Sequence, residues 1–287
     1  MRPLSIAALQ TSPVFGDQEA TLRKLGERVA RVRALVPHVQ LVMFPELHLP
    51  ALAPPLEPHD DPATLAVDIP GPLTDELASV ARANGVWLVP GSVYERAGDG
   101  RLHNTALVLS PDGELAASYR KVFPWQPHET SAPGDCFVTF DIPEVGRAGL
   151  SICYDGSFPE TCRELAWMGA EVVLQVSLTT TSDRPQELVM ARANAIFNQL
   201  YVVSLNAGSP AGLGRSLIVD PEGLVRLQAG DGEELLTDVL DLDAVTRVRE
   251  YGTAGVSRLW EQATRTGVVR ARQAREGERA GEQPEIA

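Results

Sequence analysis

The sequence predicts an α/β fold, and three observations carry that expectation. Short apolar runs alternate with amphipathic stretches over most of the 287 residues. Turn signals separate them at Pro111-Asp112-Gly113, Pro133-Gly134-Asp135 and Pro221-Glu222-Gly223. No Gly/Ser linker, low-complexity block or solenoid repeat divides the chain, and 44% hydrophobic residues can fill a sizeable core. One α/β domain with a trailing extension is the simplest account.

Taken in order, Leu4–Leu9 reads as a strand and Asp17–Leu35 as a helix. In that helix Leu22, Leu25, Val29, Val32 and Leu35 recur at three- and four-residue steps, which gives one apolar face. Leu41-Val42-Met43-Phe44 is apolar without alternation, the pattern of a strand buried on both faces. A helix over Leu73–Asn84 follows, then strands over Val86–Val93, Thr105–Leu109, Leu115–Ser118 and Ala148–Ile152. Helices over Pro159–Met168 and Pro185–Gln199 bracket a strand at Val172–Val176, and Tyr201–Leu205 is a further strand. After about Glu234 the alternation weakens. The expected domain is 1–270, with a C-terminal extension from about 242; the polar stretch 271–287 reads as a mobile tail.

Composition excludes several function classes. A net charge of −13 argues against a nucleic-acid or anionic-membrane partner. No apolar run approaches the roughly 18 residues of a membrane span. Met1-Arg2-Pro3-Leu4 passes straight into a strand without a signal-peptide pattern. The three cysteines, Cys136, Cys153 and Cys162, are too few and odd in number for a disulfide framework, so a reducing, cytoplasmic setting is expected. Metal catalysis has little support: His38, His48, His59, His103 and His128 show no HExxH spacing. His59-Asp60-Asp61 reads as a solvated acidic loop rather than a cation site. Neither a GxSxG elbow nor a GxxxxGK[ST] loop occurs.

Three segments place a reactive side chain just past a strand, where sites collect in open α/β sheets. Glu46 follows Leu41-Val42-Met43-Phe44-Pro45; Lys121 sits in Ser118-Tyr119-Arg120-Lys121-Val122-Phe123-Pro124-Trp125; Cys153 ends Gly149-Leu150-Ser151-Ile152 before Tyr154-Asp155-Gly156. Taken singly, each has an ordinary reading: a solvated loop carboxylate, an edge-strand lysine, a small buried hydrophobe. Together they are the parts of acyl transfer through a thioester. A buried carboxylate can take the thiol proton, and a lysine can hold the charge that develops on the attacked carbonyl. Cys136 and Cys162 lack the strand–turn–helix setting.

Here the sequence resembles the nitrilase superfamily, whose Glu–Lys–Cys triad has this chain order. Its motifs are matched by Phe44-Pro45-Glu46, Tyr119-Arg120-Lys121, Cys153-Tyr154-Asp155 and Pro159-Glu160, over roughly Pro3 to Asp241. A second glutamate common in the family stands eight residues past the lysine, as Glu129 does here. Pro124-Trp125 and Pro133-Gly134 are most similar to the aliphatic amidase and formamidase branch. Departures include Ser131 and Ala132 where that branch carries aromatic residues, Phe197 for a glutamate and Arg215 for a histidine.

The resemblance implies a four-layer α-β-β-α sandwich, a homodimer or larger homo-oligomer, and interface helices at Pro159–Met168 and Pro185–Gln199. It implies hydrolysis of a small-molecule amide without a cofactor, using Glu46, Lys121, Cys153 and Glu129. The backbone N–H of Tyr154 would help hold the oxyanion, with Trp125, His128 and Ser131 beside the substrate. Nitrile or N-carbamoyl hydrolysis on the same triad is the alternative; a non-catalytic interaction protein on this fold is a third reading.

Overall fold

The computed structural model describes residues 1–52 and 61–265. From the N-terminus run β1 (Pro3–Gln10), α1 (Gln18–Leu35), β2 (Leu41–Met43), α2 (Pro72–Asn84), β3 (Trp87–Val89) and β4 (Ser92–Arg96). Then come β5 (Leu102–Leu109), β6 (Leu115–Arg120), β7 (Thr139–Ile142), β8 (Gly146–Ile152), α3 (Pro159–Trp167) and β9 (Val172–Ser177). The remainder holds α4 (Arg184–Asn198), β10 (Tyr201–Asn206), β11 (Leu217–Val219) and β12 (Val225–Gln228), followed by β13 (Glu234–Asp241), α5 (Asp243–Tyr251) and α6 (Leu259–Arg265).

Side-chain alternation sorts these elements into layers. One sheet runs β13-β1-β2-β3-β5-β4, with β6 also paired to β5; the other runs β12-β11-β10-β9-β8-β7. Leu4, Ile6 and Ala8 of β1 point between the sheets and pack with Ile152, Leu174 and Val203 of the second. Ala7 and Leu9 point the other way, onto Leu25 and Val29 of α1 and Leu77 and Ala81 of α2. On the far side, Val173 and Val202 meet Leu165 of α3 and Ala191 of α4. The result is the expected α-β-β-α order, and it explains why β2 is apolar on both faces. The helices start and stop for local reasons. Asp17 caps α1 by accepting from the N–H of Ala20, Gly85 ends α2 in the left-handed conformation, and Pro159 opens α3.

Two expectations need correction. Val86–Val93 is not one continuous strand: Pro90 and Gly91 break it into β3 and β4, which both pair antiparallel with β5 along the edge away from β6, at Leu88↔Leu109 and Ser92↔Ala106. Gly91 has φ +90°, and a Cβ there would sit 1.8 Å from the carbonyl oxygen of Pro45. The break therefore lets the backbone pass directly beneath the Pro45–Glu46 turn. Nor does regular structure fade after Glu234. β13 pairs antiparallel with β1 in register from Pro3↔Asp241 to Gln10↔Glu234. Its pattern was blurred because Leu235 and Val239 are exposed while only Leu236 and Leu240 are buried. β7, β11 and β12 had no clear sequence signal; β11 is three residues long and β12 is mostly exposed.

The C-terminal helices dock on the second sheet's helix layer. The Arg249 guanidinium lies 4.3 Å from the ring centre of Trp260, and Gln199 bonds to Ser257 and Trp260. The expected tail over 271–287, and His59 and Asp60, lie outside the described residues. No helix among the described residues is long and apolar enough to cross a membrane, and no His/Cys/Asp/Glu cluster among them could hold a metal ion.

Candidate active site

The strands β2, β6, β8 and β9 all end at one cavity between the sheets. Glu46, Lys121, Glu129, Cys153, Tyr154, Trp125, His128 and Ser131 all line it. Residues far apart in sequence meet because the two sheets face each other with these strand ends at the same rim.

Glu46 and Lys121 form the floor, at 3% and 1% exposure. Lys121 Nζ lies 3.1 Å from Glu46 Oε1 and 2.7 Å from Glu129 Oε1. Glu129 is fixed in turn by the N–H of Trp125, which donates to its Oε2 at 2.7 Å. Burial pushes the Glu46 carboxyl up, Lys121 works against the shift and Glu129 adds to it. For Lys121, burial disfavours the ammonium, but Glu46, Cys153 and Glu129 outweigh it and its pKa is raised. The lysine therefore stays a cation, while the glutamate moves towards the range of a general base.

Cys153 opens a short 3₁₀ turn over Cys153–Ser157. Its φ is +46°, a left-handed conformation that typically costs a non-glycine residue about 1–3 kcal/mol. Asp155 holds this elbow: its carboxylate accepts from the N–H groups of Ile152 and Phe123, both at 2.9 Å, and from the Tyr119 hydroxyl at 2.8 Å. Burial raises Asp155 to about 6 despite those donors. Behind the elbow, Gln175 Nε2 donates to the Cys153 carbonyl at 3.0 Å. A Cβ on Gly156 would sit 2.1 Å from that nitrogen, so a side chain there would push the Gln175 amide off the Cys153 carbonyl. Burial pushes the Cys153 thiol well above its ordinary range, Glu46 adds to the shift, and Lys121 opposes it. The resting sulfur is thus a neutral thiol that needs a base.

Several residues of the site carried no role in the sequence reading. Asn104 donates from Nδ2 to Glu46 Oε1 at 2.8 Å, and its carbonyl accepts from the Lys121 N–H at 2.8 Å. One residue thus ties two members of the charged floor. It is 0% exposed, in the polar run His103-Asn104-Thr105 that opens an otherwise apolar β5. The N–H of Leu178 donates to Glu46 Oε2 at 2.9 Å; a backbone donor leaves no trace in sequence. Tyr94, Thr179, Asp183 and Glu187 complete the upper walls.

Among the candidates for substrate contact, Trp125 and Tyr154 are half-buried and His128 is exposed. The ring centres of Trp125 and His128 are 4.2 Å apart. Ser131 is 4% exposed, and its hydroxyl has no partner among the described residues. Phe158 does not line the cavity; it stacks on Phe123 with ring centres 3.9 Å apart.

The family model for carbon–nitrogen hydrolases matches residues 5–250. The chain belongs to the carbon–nitrogen hydrolase family. It is 33% identical to the omega-amidase NIT2 of Mus musculus over 201 residues, which is 64% of this chain and 72% of that protein. A formamidase of Bacillus cereus is 30% identical over 214 residues, covering 72% and 64% of the two chains. Among solved structures, an amidase from Nesterenkonia sp. AN1 aligns with a TM-score of 0.74 and 25% identity, over 85% of this chain and 92% of that one. In that structure the acetamide moiety of fluoroacetamide is covalently attached at the active-site cysteine.

Proposed function

We propose that this carbon–nitrogen hydrolase is an amidase that cleaves a small amide through a thioester on Cys153. The observation that carries the reading is the charged floor: a buried carboxylate and a buried ammonium, both hydrogen-bonded, beside a neutral thiol on a strained elbow. Similarity to an omega-amidase, to a formamidase and to an amidase modified at its cysteine supports the same chemistry.

In this mechanism Glu46 takes the thiol proton, and the Cys153 sulfur attacks the amide carbon. Lys121 and the backbone N–H of Tyr154 hold the developing oxyanion. The tetrahedral intermediate collapses, the C–N bond breaks, and Glu46 returns its proton to the leaving ammonia or amine. Water, deprotonated by Glu46, then attacks the thioester and releases the carboxylic acid. Glu129 keeps Lys121 and the amide nitrogen in place.

The expected assembly is a homodimer or larger homo-oligomer with α3 and α4 at an interface. Val189 and Phe197 on α4 are 67% and 54% exposed, an apolar face of the kind that partners cover. Three free cysteines fit a cytoplasmic setting. The deciding assay is ammonia release from short amides, omega-amides, N-carbamoyl compounds and nitriles. Turnover of amides is expected; turnover of nitriles alone, or of nothing, would refute the reading.

A further inference from the structure

We propose that the cavity selects amides whose far end is uncharged or cationic over amides that end in a carboxylate, with Asp183 as the residue that sets this selection. The inference rests on the amidase reading and concerns the part of the substrate away from the reacting carbonyl.

The argument starts from the charges on the walls. Four carboxylates line the cavity: Glu46, Glu129, Asp183 and Glu187. Among the described residues the lining contains one ammonium, Lys121, and it is already paired with Glu46 and Glu129. Arg184, next in sequence to Asp183, does not line the cavity; it is 1% exposed and each of its guanidinium nitrogens is already bonded. Its guanidinium donates to Glu187 Oε2 at 2.7 Å, to the carbonyl of Gly214 at 3.1 Å and to that of Arg215 at 3.0 Å. Glu187 is further satisfied by the Thr179 hydroxyl at 2.9 Å. Asp183 differs: it accepts from the Thr181 hydroxyl and has no cationic partner among the described residues. Residues 53–60, next in sequence to the lining residue Pro62, contain no lysine or arginine either.

A carboxylate entering this space would give up water and find no cation free to pair with it, while meeting like charge on the wall. A neutral polar end avoids that cost. An ammonium gains from Asp183 and from the aromatic faces of Tyr94 and Trp125, which share the lining. The buried, unpartnered hydroxyl of Ser131 on the same lining is neutral and favours no charge. The selection is therefore electrostatic and weakens as salt rises.

The test uses the full chain and three amides of similar size: succinamate (anionic), 4-oxopentanamide (its neutral isostere) and 4-aminobutanamide (cationic). At low ionic strength and about pH 8, above the ordinary imidazole range, kcat/KM for succinamate should lie about tenfold or more below the neutral amide. 4-Aminobutanamide should at least match the neutral amide, and added salt should narrow the spread. Asp183→Asn should narrow the anionic–neutral gap severalfold. Succinamate cleaved as well as its isostere, or a gap unchanged in Asp183→Asn, would overturn the proposal while leaving the amidase reading intact. If none of the three is cleaved, the amidase reading is in trouble. The selection is then still decided by binding of the same three compounds to the Cys153→Ala protein, where equal or tighter binding of succinamate refutes it.

Discussion

At the floor of the cavity Glu46 and Lys121 are almost wholly buried, and both oxygens of Glu46 have donors in Asn104, Lys121 and the Leu178 N–H. At the rim, His128 and Thr180 are exposed, and among the described residues Asp183 lacks a cationic partner and the Ser131 hydroxyl has no partner at all. The difference follows from what each part must do. Groups that move protons and stabilise charge have to be held within fractions of an ångström, so the fold surrounds them with mutually fixed hydrogen bonds. Groups that meet the variable end of a substrate sit on loops, where the fold fixes less. A substitution in the floor should therefore damage the chemistry for every substrate, whereas one in the rim should re-rank substrates.

The sharpest way to break this division is to remove the nucleophile. Cys153→Ala should lower hydrolysis by about four powers of ten or more, while Cys136→Ala and Cys162→Ala retain most activity. Cys136 is exposed and Cys162 is buried in the helix layer, so neither reaches the cavity. Mass spectrometry of the wild type during turnover should show an acyl adduct on Cys153. Wild-type-like turnover in the Cys153 variant would remove the basis for the thioester.

Next in size is Glu129, which joins floor to rim by holding Lys121 with one oxygen and the Trp125 N–H with the other. Glu129→Gln should lower kcat by about a hundredfold with the fold intact, since small misplacements beside the reacting atoms are costly. Unchanged kcat in a correctly folded variant would move Glu129 out of the floor.

A smaller effect is expected at Asn104, a positioning residue that touches Glu46 rather than substrate. Its hydrogen bond favours the ionised carboxylate, opposing the upward push of burial. Asn104→Ala therefore raises the Glu46 pKa further. Activity that needs ionised Glu46 is lost as pH falls through that pKa, so the acidic limb of kcat/KM against pH should move to higher pH. A drop of about tenfold in kcat should accompany it. A merely structural role would lower activity without moving the limb.

How much of this was legible in the sequence divides along the same line. The four principal helices followed from hydrophobic period, since α1 buries the face that Leu25, Val29 and Val32 mark out, whereas the four layers followed from the resemblance to the nitrilase superfamily. All eight residues marked for the site line one cavity: strand ends carried Glu46, Lys121 and Cys153, and the resemblance supplied the other five, most of them on the loop that follows β6. What escaped depends on through-space contact. The left-handed backbone at Cys153 and the Leu178 N–H on Glu46 have no side-chain signature. Asp183 and Glu187 carried no role in the sequence and come to the cavity only through the placement of α4. β13 was hidden by its exposed Leu235 and Val239.

The smallest predicted effect probes the rim alone. Ser131 and Ala132 stand where the aliphatic-amidase-like branch carries aromatic side chains, and Phe158, stacked on Phe123, does not line the cavity. The space beside Ser131 should therefore admit acyl chains longer than acetyl. Each methylene buried there contributes up to about 0.8 kcal/mol, or about fourfold in kcat/KM, until the chain meets the wall. Across linear amides of increasing length, kcat/KM should rise over the first few methylenes in the wild type. In Ser131→Trp the maximum should shift to the shortest amides, with their kcat little changed because the floor is untouched. A steady fall with chain length in the wild type would mean that the space is already filled. An unshifted profile in the Trp variant would mean that Ser131 does not face the acyl chain. Loss of kcat for every amide alike would instead tie Ser131 to the floor and erase the division between the two regions.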